Sequence, residues 1–192
     1  MSDVALVEVT NGVADVRLNR PHVMNAFNDD MFEVPVIAAI HGAAVGAGLQ
    51  LALGADLRYA TPTAKFAVGE INWGLIPDMG GTQLLPPLIG LDHARDLIYS
   101  GRTITGAVAA QLGLVTALFE DPLSAARDWA RMVASRNPHA IRDAKALTAL
   151  TQPVSAEGLL AERKAMRQTM GSENQIEAVR ANLEGRGPRF TQ

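Results

Sequence analysis

Apolar and polar positions alternate through residues 4–10 and 13–18, around Asn11-Gly12, which is the dipeptide of a type I′ turn. The pattern predicts a β-hairpin. Asn19-Arg-Pro-His breaks the second strand, and Asn25 or Asn28 is placed to cap a short helix with Phe27, Met31 and Phe32 on one side. Val36 to Ile40 is continuously apolar and rich in β-branched residues, as a strand buried on both faces would be. Small residues from Gly42 to Gly48 predict a tight turn, and Leu49 to Leu53 the start of a buried helix. Backbone N–H groups at such a start have no partner within the helix.

Further along, Leu57 to Ala60 and Lys65 to Val68 predict short strands, and residues 69–81, with four glycines and Pro77, a loop. Thr82 leads from that loop into Gln-Leu-Leu. From Asp92 the periodicity is mainly helical: 92–100, then 106–112 ending at the C′ glycine Gly113, with a short strand over Val115 to Phe119. Four amphipathic helices follow at 122–135, 139–150, 156–170 and 173–184. The last opens on a capping box, Ser172 to Gln175, carries Ile176, Val179 and Leu183 at helical spacing, and stops at Gly185. Composition shifts near residue 120 from glycine-rich α/β to charged helices, which divides the chain into a core (1–120) and a helical region (121–192).

One junction does not fit. The helix before Glu33 has about two turns, short of the typical ~11 residues. It runs straight into the buried strand with no turn residues, and Pro35 disfavours helix at Val34. Crossovers between parallel strands take a dozen residues or more. The expectation is that a segment is absent between Glu33 and Val34, either deleted or closed up in the numbering.

Bulk properties narrow the function. The 192 residues are 48% hydrophobic and 19% charged with a net charge of −3, which offers no basic footprint for nucleic acid. The absence of cysteine removes disulfide, thiolate-catalytic and thiolate-metal chemistry, and fits a cytoplasmic enzyme. Met1-Ser-Asp-Val lacks the basic flank and apolar stretch of a secretory signal. Val34 to Ala55 is long and apolar enough to be weighed as a membrane span. Pro35, the glycines at 42, 46, 48 and 54, His41, Gln50 and the lack of a flanking basic cluster favour the soluble reading.

Two carboxylates stand where chemistry could occur. Glu70 lies at the mouth of an apolar loop containing Trp73, Leu75 and Ile76, surroundings suited to a proton-transfer group; the bland alternative is a loop cap or a surface ion pair. Asp78, on the same loop, has an equally plain reading as the turn residue of Pro-Asp-x-Gly. Gln50 lies just inside the central helix, otherwise a core amide satisfied by backbone. His41 ends the buried strand with no second histidine at ligand spacing, so no metal is expected. A dinucleotide site is the alternative: Gly46-x-Gly48 follows a strand, and an acid comes about twenty residues later. Its third glycine fails, since position 51 is Leu.

Three blocks resemble the crotonase (enoyl-CoA hydratase/isomerase) superfamily. They are His41-Gly-Ala-Ala-Val-Gly-Ala-Gly-Leu-Gln-Leu-Ala, Ala55-Asp-Leu-Arg-Tyr-Ala, and Phe66-Ala-Val-Gly-Glu-Ile-Asn-Trp-Gly-Leu-Ile-Pro-Asp-Met-Gly-Gly-Thr-Gln-Leu-Leu. The likeness extends to Leu18-Asn-Arg-Pro with Asn25-Ala-Phe, to Ser100-Gly-Arg with Ala110-Gln-Leu-Gly-Leu-Val, and to the Ser172-Glu tail.

The resemblance implies an α/β fold, a crotonase-like spiral of ββα units with a helical C-terminal oligomerisation region that builds trimers or hexamers. It implies an acyl-CoA thioester substrate, with coenzyme A part of the substrate and no separate cofactor, and fatty-acid β-oxidation chemistry. The thioester oxygen would sit in an oxyanion hole with the Ala47 N–H as one donor. A helix N-terminus, carrying roughly +0.5 charge, suits that oxygen. The second donor in the family comes from an Ala-Gly-x-Asp-Leu-type segment before the Val-Pro-Val-Ile strand, and this sequence has none. Glu70 matches the second of the two hydratase glutamates, whereas Gln50 stands at the first, and an amide cannot exchange a proton at neutral pH. Asp78 matches an acid used by dienoyl-CoA isomerases. An isomerase-type double-bond shift is therefore slightly favoured over hydration of trans-2-enoyl-CoA, with a non-catalytic acyl-CoA-binding member as a third reading. Val23, Met24 and Ala26 match positions lining the CoA adenine, and Arg186, Arg189 and Phe190 are placed to meet its phosphates or to form a solvated tail.

Overall fold

The computed structural model describes residues 5–10, 13–18, 34–150 and 154–191, the first two stretches as backbone. The expected short helix near residues 25–32, the positions Val23, Met24 and Ala26, and the junction at Glu33 all lie outside them. Strands β1 (Ala5–Thr10) and β2 (Val13–Leu18) pair antiparallel, as the Asn11-Gly12 signal requires, with Thr10 opposite Val13.

The apolar run becomes β3 (Ile37–Ile40), and there the chain changes direction. Gly42 takes a φ of 90°, in the left-handed region, and the three residues after it pair as a second strand, β4 (Ala43–Val45). The small-residue stretch is thus a strand and not wholly a turn. A partner strand distant in sequence satisfies its N–H and C=O groups, which local pattern does not reveal. Helix α1 (Ala47–Leu53) follows. The motif then recurs, with β5 (Leu57–Ala60) lying parallel to β3 and β6 (Lys65–Ala67) parallel to β4. Each turn of the chain therefore adds one strand to each of two sheets.

Beyond β6, a 3₁₀ turn (Gly69–Trp73) leads into α2 (Gly81–Ile89), α3 (Leu91–Ser100), β7 (Ile104–Thr105), α4 (Gly106–Gln111) and β8 (Ala117–Leu118). The sheets are ordered β3-β5-β8 and β4-β6-β7, parallel except where β7 runs against β6. Phe66, Leu49, Leu85, Leu97 and Leu114 are fully buried among them, with fully buried Ala60, Ala94 and Ala109 allowing close approach. Helix α2 corrects the sequence reading, which saw no helix between the loop over residues 69–81 and Asp92. Pro86 and Pro87 hide it, since each lacks an N–H and disfavours helix. Yet Leu84, Leu85, Leu88 and Ile89 form an apolar stripe at helical spacing that packs on the core.

The C-terminal helices match their predicted spans closely: α5 (Pro122–Ala134), α6 (Pro138–Ala149), α7 (Ala156–Thr169) and α8 (Glu173–Glu184). Each has its side-chain cap, from Asp121, Asn137, Ser155 and Ser172 in turn. Helix α5 lies against β3 and β5, α7 against α2, and α8 against the 3₁₀ turn. Lys145 of α6 donates to the Val34 carbonyl (2.7 Å) and pairs with Asp56 (2.8 Å), whose carboxylate also accepts the Val36 N–H (2.7 Å). The entry to β3 is thereby tied to both α6 and β5.

Arg58 is a buried guanidinium in the same layer. Its Nε donates to the Leu114 carbonyl (2.8 Å) and its Nη1 to that of Ala55 (2.7 Å). Burial pushes its pKa down and the neighbouring Asp56 charge pushes it back up. Replacing Arg58 with Leu leaves two interior carbonyls without donors, at about 1–3 kcal/mol for each buried group. The expected result is a fall of about 2–6 kcal/mol in unfolding free energy, read from the midpoint of a urea titration at unchanged slope.

Candidate active site

Gly46 begins the site. Its φ of 56° and ψ of −125° turn the chain from β4 into α1, its N–H donates to the Ala67 carbonyl (3.0 Å), and its own carbonyl accepts from Leu49 and Gln50. Gly46 lies against a carboxyl group. A Cβ built there would lie 3.5 Å from Glu70 Oε1 and 3.9 Å from Oε2. Glu70 comes from the 3₁₀ turn that follows β6, so the pairing of β6 with β4 brings it under the start of α1. The sequence expectation of a plain loop over residues 69–81 is corrected to that extent.

Gln50 is only 4% exposed, and its amide is held at both ends. The carbonyl oxygen accepts the N–H groups of Met79 (2.9 Å) and Gly81 (3.0 Å), and Nε2 donates to Glu70 Oε1 (2.7 Å). Two backbone donors on one end of the amide decide which end is oxygen, so the NH₂ group faces the carboxylate. Glu70 Oε2 is buried and has no hydrogen-bond partner among the described residues. An orphaned buried acceptor costs about 1–3 kcal/mol, and such atoms in folded proteins call for an explanation, a catalytic role among them.

The loop that holds Gln50 demands its glycines. Gly80 sits at φ 87° and Gly81 opens α2; a Cβ on Gly81 would stand 2.7 Å from Gln50 Oε1 and 2.9 Å from Pro77 Cβ. Asp78, immediately before, is exposed, and its carboxylate has no partner among the described residues. It adjoins the site through Met79 but makes no bond to Gln50 or Glu70. Ala47, half-buried, is the first residue of α1, where an N–H has no intrahelical acceptor. His41 is exposed and outside this cluster. No group of three His, Asp or Glu able to hold a metal occurs among the described residues.

One residue escaped the sequence reading. Glu162 on α7 is 5% exposed; its Oε2 accepts the Gly80 N–H (2.8 Å), and its Oε1 accepts the Thr82 N–H (3.0 Å) and, in a short bond, the Thr82 hydroxyl. Its signal was a charge on the buried stripe of α7, four residues before Met166. The tail residues lie elsewhere. Arg186 binds Glu177 (2.6 Å) and Glu184 (2.5 Å), and the Arg189 N–H also donates to Glu177. Those two donors hold the Glu177 carboxyl down at about 2, Arg186 contributing most. Phe190 is exposed. A hollow of about 580 Å³ beside Tyr59, Phe119 and Trp129 includes none of the Gln50, Glu70 and Asp78 cluster.

The family model described as Enoyl-CoA hydratase/isomerase matches residues 30–192. A probable enoyl-CoA hydratase of Mycobacterium leprae is 40% identical over 179 residues, covering 87% of this chain and 70% of that protein. A putative enoyl-CoA hydratase/isomerase of Bacillus subtilis is also 40% identical, over 160 residues, covering 82% of this chain and 62% of its own length. In structure, an enoyl-CoA hydratase/isomerase of Pseudoalteromonas atlantica superposes with a TM-score of 0.84 at 24% identity, over 98% of this chain and 100% of that one, which shows the crotonase-type α/β fold. With the glycine-lined carboxyl under α1 already in place, the matches are conclusive: the chain belongs to the enoyl-CoA hydratase/isomerase family.

Proposed function

We propose that this chain acts on acyl-CoA thioesters by proton transfer at Glu70, with an isomerase-type double-bond shift as its reaction. The observation that carries the reading is the Glu70 carboxyl itself. One oxygen is held by Gln50 and the other is buried, unpartnered among the described residues and adjacent to Gly46. Oε2 takes the proton from the carbon next to the thioester carbonyl, and negative charge moves to the thioester oxygen. The Ala47 N–H donates to that oxygen, where charge develops in the transition state. The proton returns at the far end of the conjugated system, from Glu70 or from Asp78. Gln50, an amide held by two backbone donors, orients the carboxyl and carries no proton of its own to the substrate.

The names of the relatives support a second reading, hydration of trans-2-enoyl-CoA. There Glu70 is acid and base, Asp78 the second acid, and Gln50 orients the attacking water. In either reading the second oxyanion donor belongs to the segment absent between Glu33 and Val34. The 62–70% coverage of the two relatives is consistent with missing length. Binding of coenzyme A by Val23, Met24, Ala26, Arg189 and Phe190, and assembly into trimers or hexamers, belong to the same proposal. So do the division of the chain at residue 120 and a cytoplasmic setting. Assembly through the helical region is supported by the exposed Leu147, Leu150, Leu160 and Leu183. No helix among the described residues is long and apolar enough to cross a membrane.

Three substrates separate the readings. Absorbance of the conjugated thioester rises when a 3-enoyl-CoA is isomerised and falls when trans-2-enoyl-CoA is hydrated; a dienoyl-CoA tests the remaining isomerase chemistry. Glu70→Gln is expected to lower turnover by at least ~10²-fold in either reaction, and a fully active variant would remove Glu70 from the mechanism. Asp78→Asn is expected to slow the reprotonation step. A full rate in that variant returns Asp78 to the role of turn residue. Tight thioester binding with no turnover of any substrate marks a binding protein instead.

A further inference from the structure

We infer that Glu162 is a positioning residue for the Glu70 carboxyl, acting from the C-terminal helical region through the 79–82 turn and the Gln50 amide. The inference rests on the reading of Glu70 as the proton-transfer group. Four consecutive backbone N–H groups in the turn point alternately to two side chains. Those of Met79 and Gly81 meet Gln50, and those of Gly80 and Thr82 meet Glu162. A four-residue segment gripped from two sides cannot move against one side chain without shifting the donors of the other.

A cap supplied from a distant helix has a local cause. Gly80, the N-cap of α2, has no side chain with which to satisfy the first N–H groups of that helix. Its φ of 87° also disfavours any residue that could supply one. Glu162 takes that place from α7. A buried carboxyl is costly unless every face of it is hydrogen-bonded, and here each contact comes from a donor: two N–H groups and the Thr82 hydroxyl. Gly158, one turn earlier on α7, lies against the end of the Gln83 side chain, which a Cβ there would displace.

The chain of contacts therefore runs from α7 to the turn, from the turn to the Gln50 carbonyl, and from the Gln50 NH₂ to Glu70 Oε1. Releasing Glu162 lets the turn relax and frees the Gln50 amide to rotate. The Glu70 carboxyl then loses the bond that orients it, while the groups that bind substrate are untouched. Misplacement of a catalytic group lowers the rate of the chemical step far more than it weakens binding.

The test uses the full chain and whichever enoyl-CoA substrate it turns over, at a temperature where circular dichroism shows the variants folded. Glu162→Gln is expected to lower kcat about tenfold with KM within about twofold. In a Gln50→Ala background the same substitution is expected to change kcat by less than about twofold, because the route through the amide is already cut. An unchanged kcat, or the same factor in both backgrounds, overturns the inference. Thr82→Val removes only the hydroxyl donor; it is expected to act in the same direction by about threefold and supplies the same comparison where Glu162→Gln does not fold. Full turnover by Glu70→Gln, or none by the unaltered chain, brings down the underlying reading. Loss in Glu70→Gln with none in Glu162→Gln brings down this inference alone.

Discussion

The Gln50 carbonyl, accepting two N–H groups from a loop far along the chain, is the bond on which the geometry of the site depends. It orients the amide, and the oriented amide holds one oxygen of Glu70. It also requires Gly81, since no side chain fits between the amide and the loop backbone. Around this bond the fold brings three elements together: the start of α1, the 3₁₀ turn after β6, and the start of α2. Two parallel pairings, β3 with β5 and β4 with β6, set their separations. Through these pairings the spiral architecture becomes a statement about where a carboxyl sits.

The substitution of an amide at position 50 changes what the site can do. A second carboxylate there would face Glu70 at hydrogen-bond distance, and two such groups share protons because like charges so close cannot both be stable. An amide removes that coupling. It leaves one carboxyl and one amide to hold it, with Glu70 Oε2 buried and unpartnered among the described residues. Family membership says that chemistry of the enoyl-CoA type is carried out on this fold. The local hydrogen bonds bear on which version of it this chain performs.

The helical region takes part in the site more directly than its composition suggests. Helix α8 packs against the 3₁₀ turn that carries Glu70, with Gln175 donating to the Trp73 carbonyl and Asn182 to that of Asn72. Helix α7 caps α2 through Glu162. Charged, amphipathic helices that look like an appendage in sequence thus brace the loops on either side of the Glu70 carboxyl.

By itself the sequence determined the hairpin, the strand at β3 (though not its expected burial on both faces, since only Ile40 is buried), the helices from residue 122 onward and the family, because each rests on local pattern or on a motif contiguous in the chain. Caps, periodicity and turn dipeptides act over a few residues, so they can be read directly. Glu70, Gln50 and Asp78 were likewise legible as candidates. Only the tertiary structure decided how they are arranged: that Gln50 is a donor to Glu70, that Asp78 stands exposed with no partner among the described residues, and that β4 is a strand. It alone revealed Glu162, because a buried carboxylate is stable only where donors converge on it, and those donors come from the other end of the fold. The two prolines of α2 make the same point in reverse. Local propensity argued against a helix, and burial of Leu85 and Ile89 against the core outweighed it.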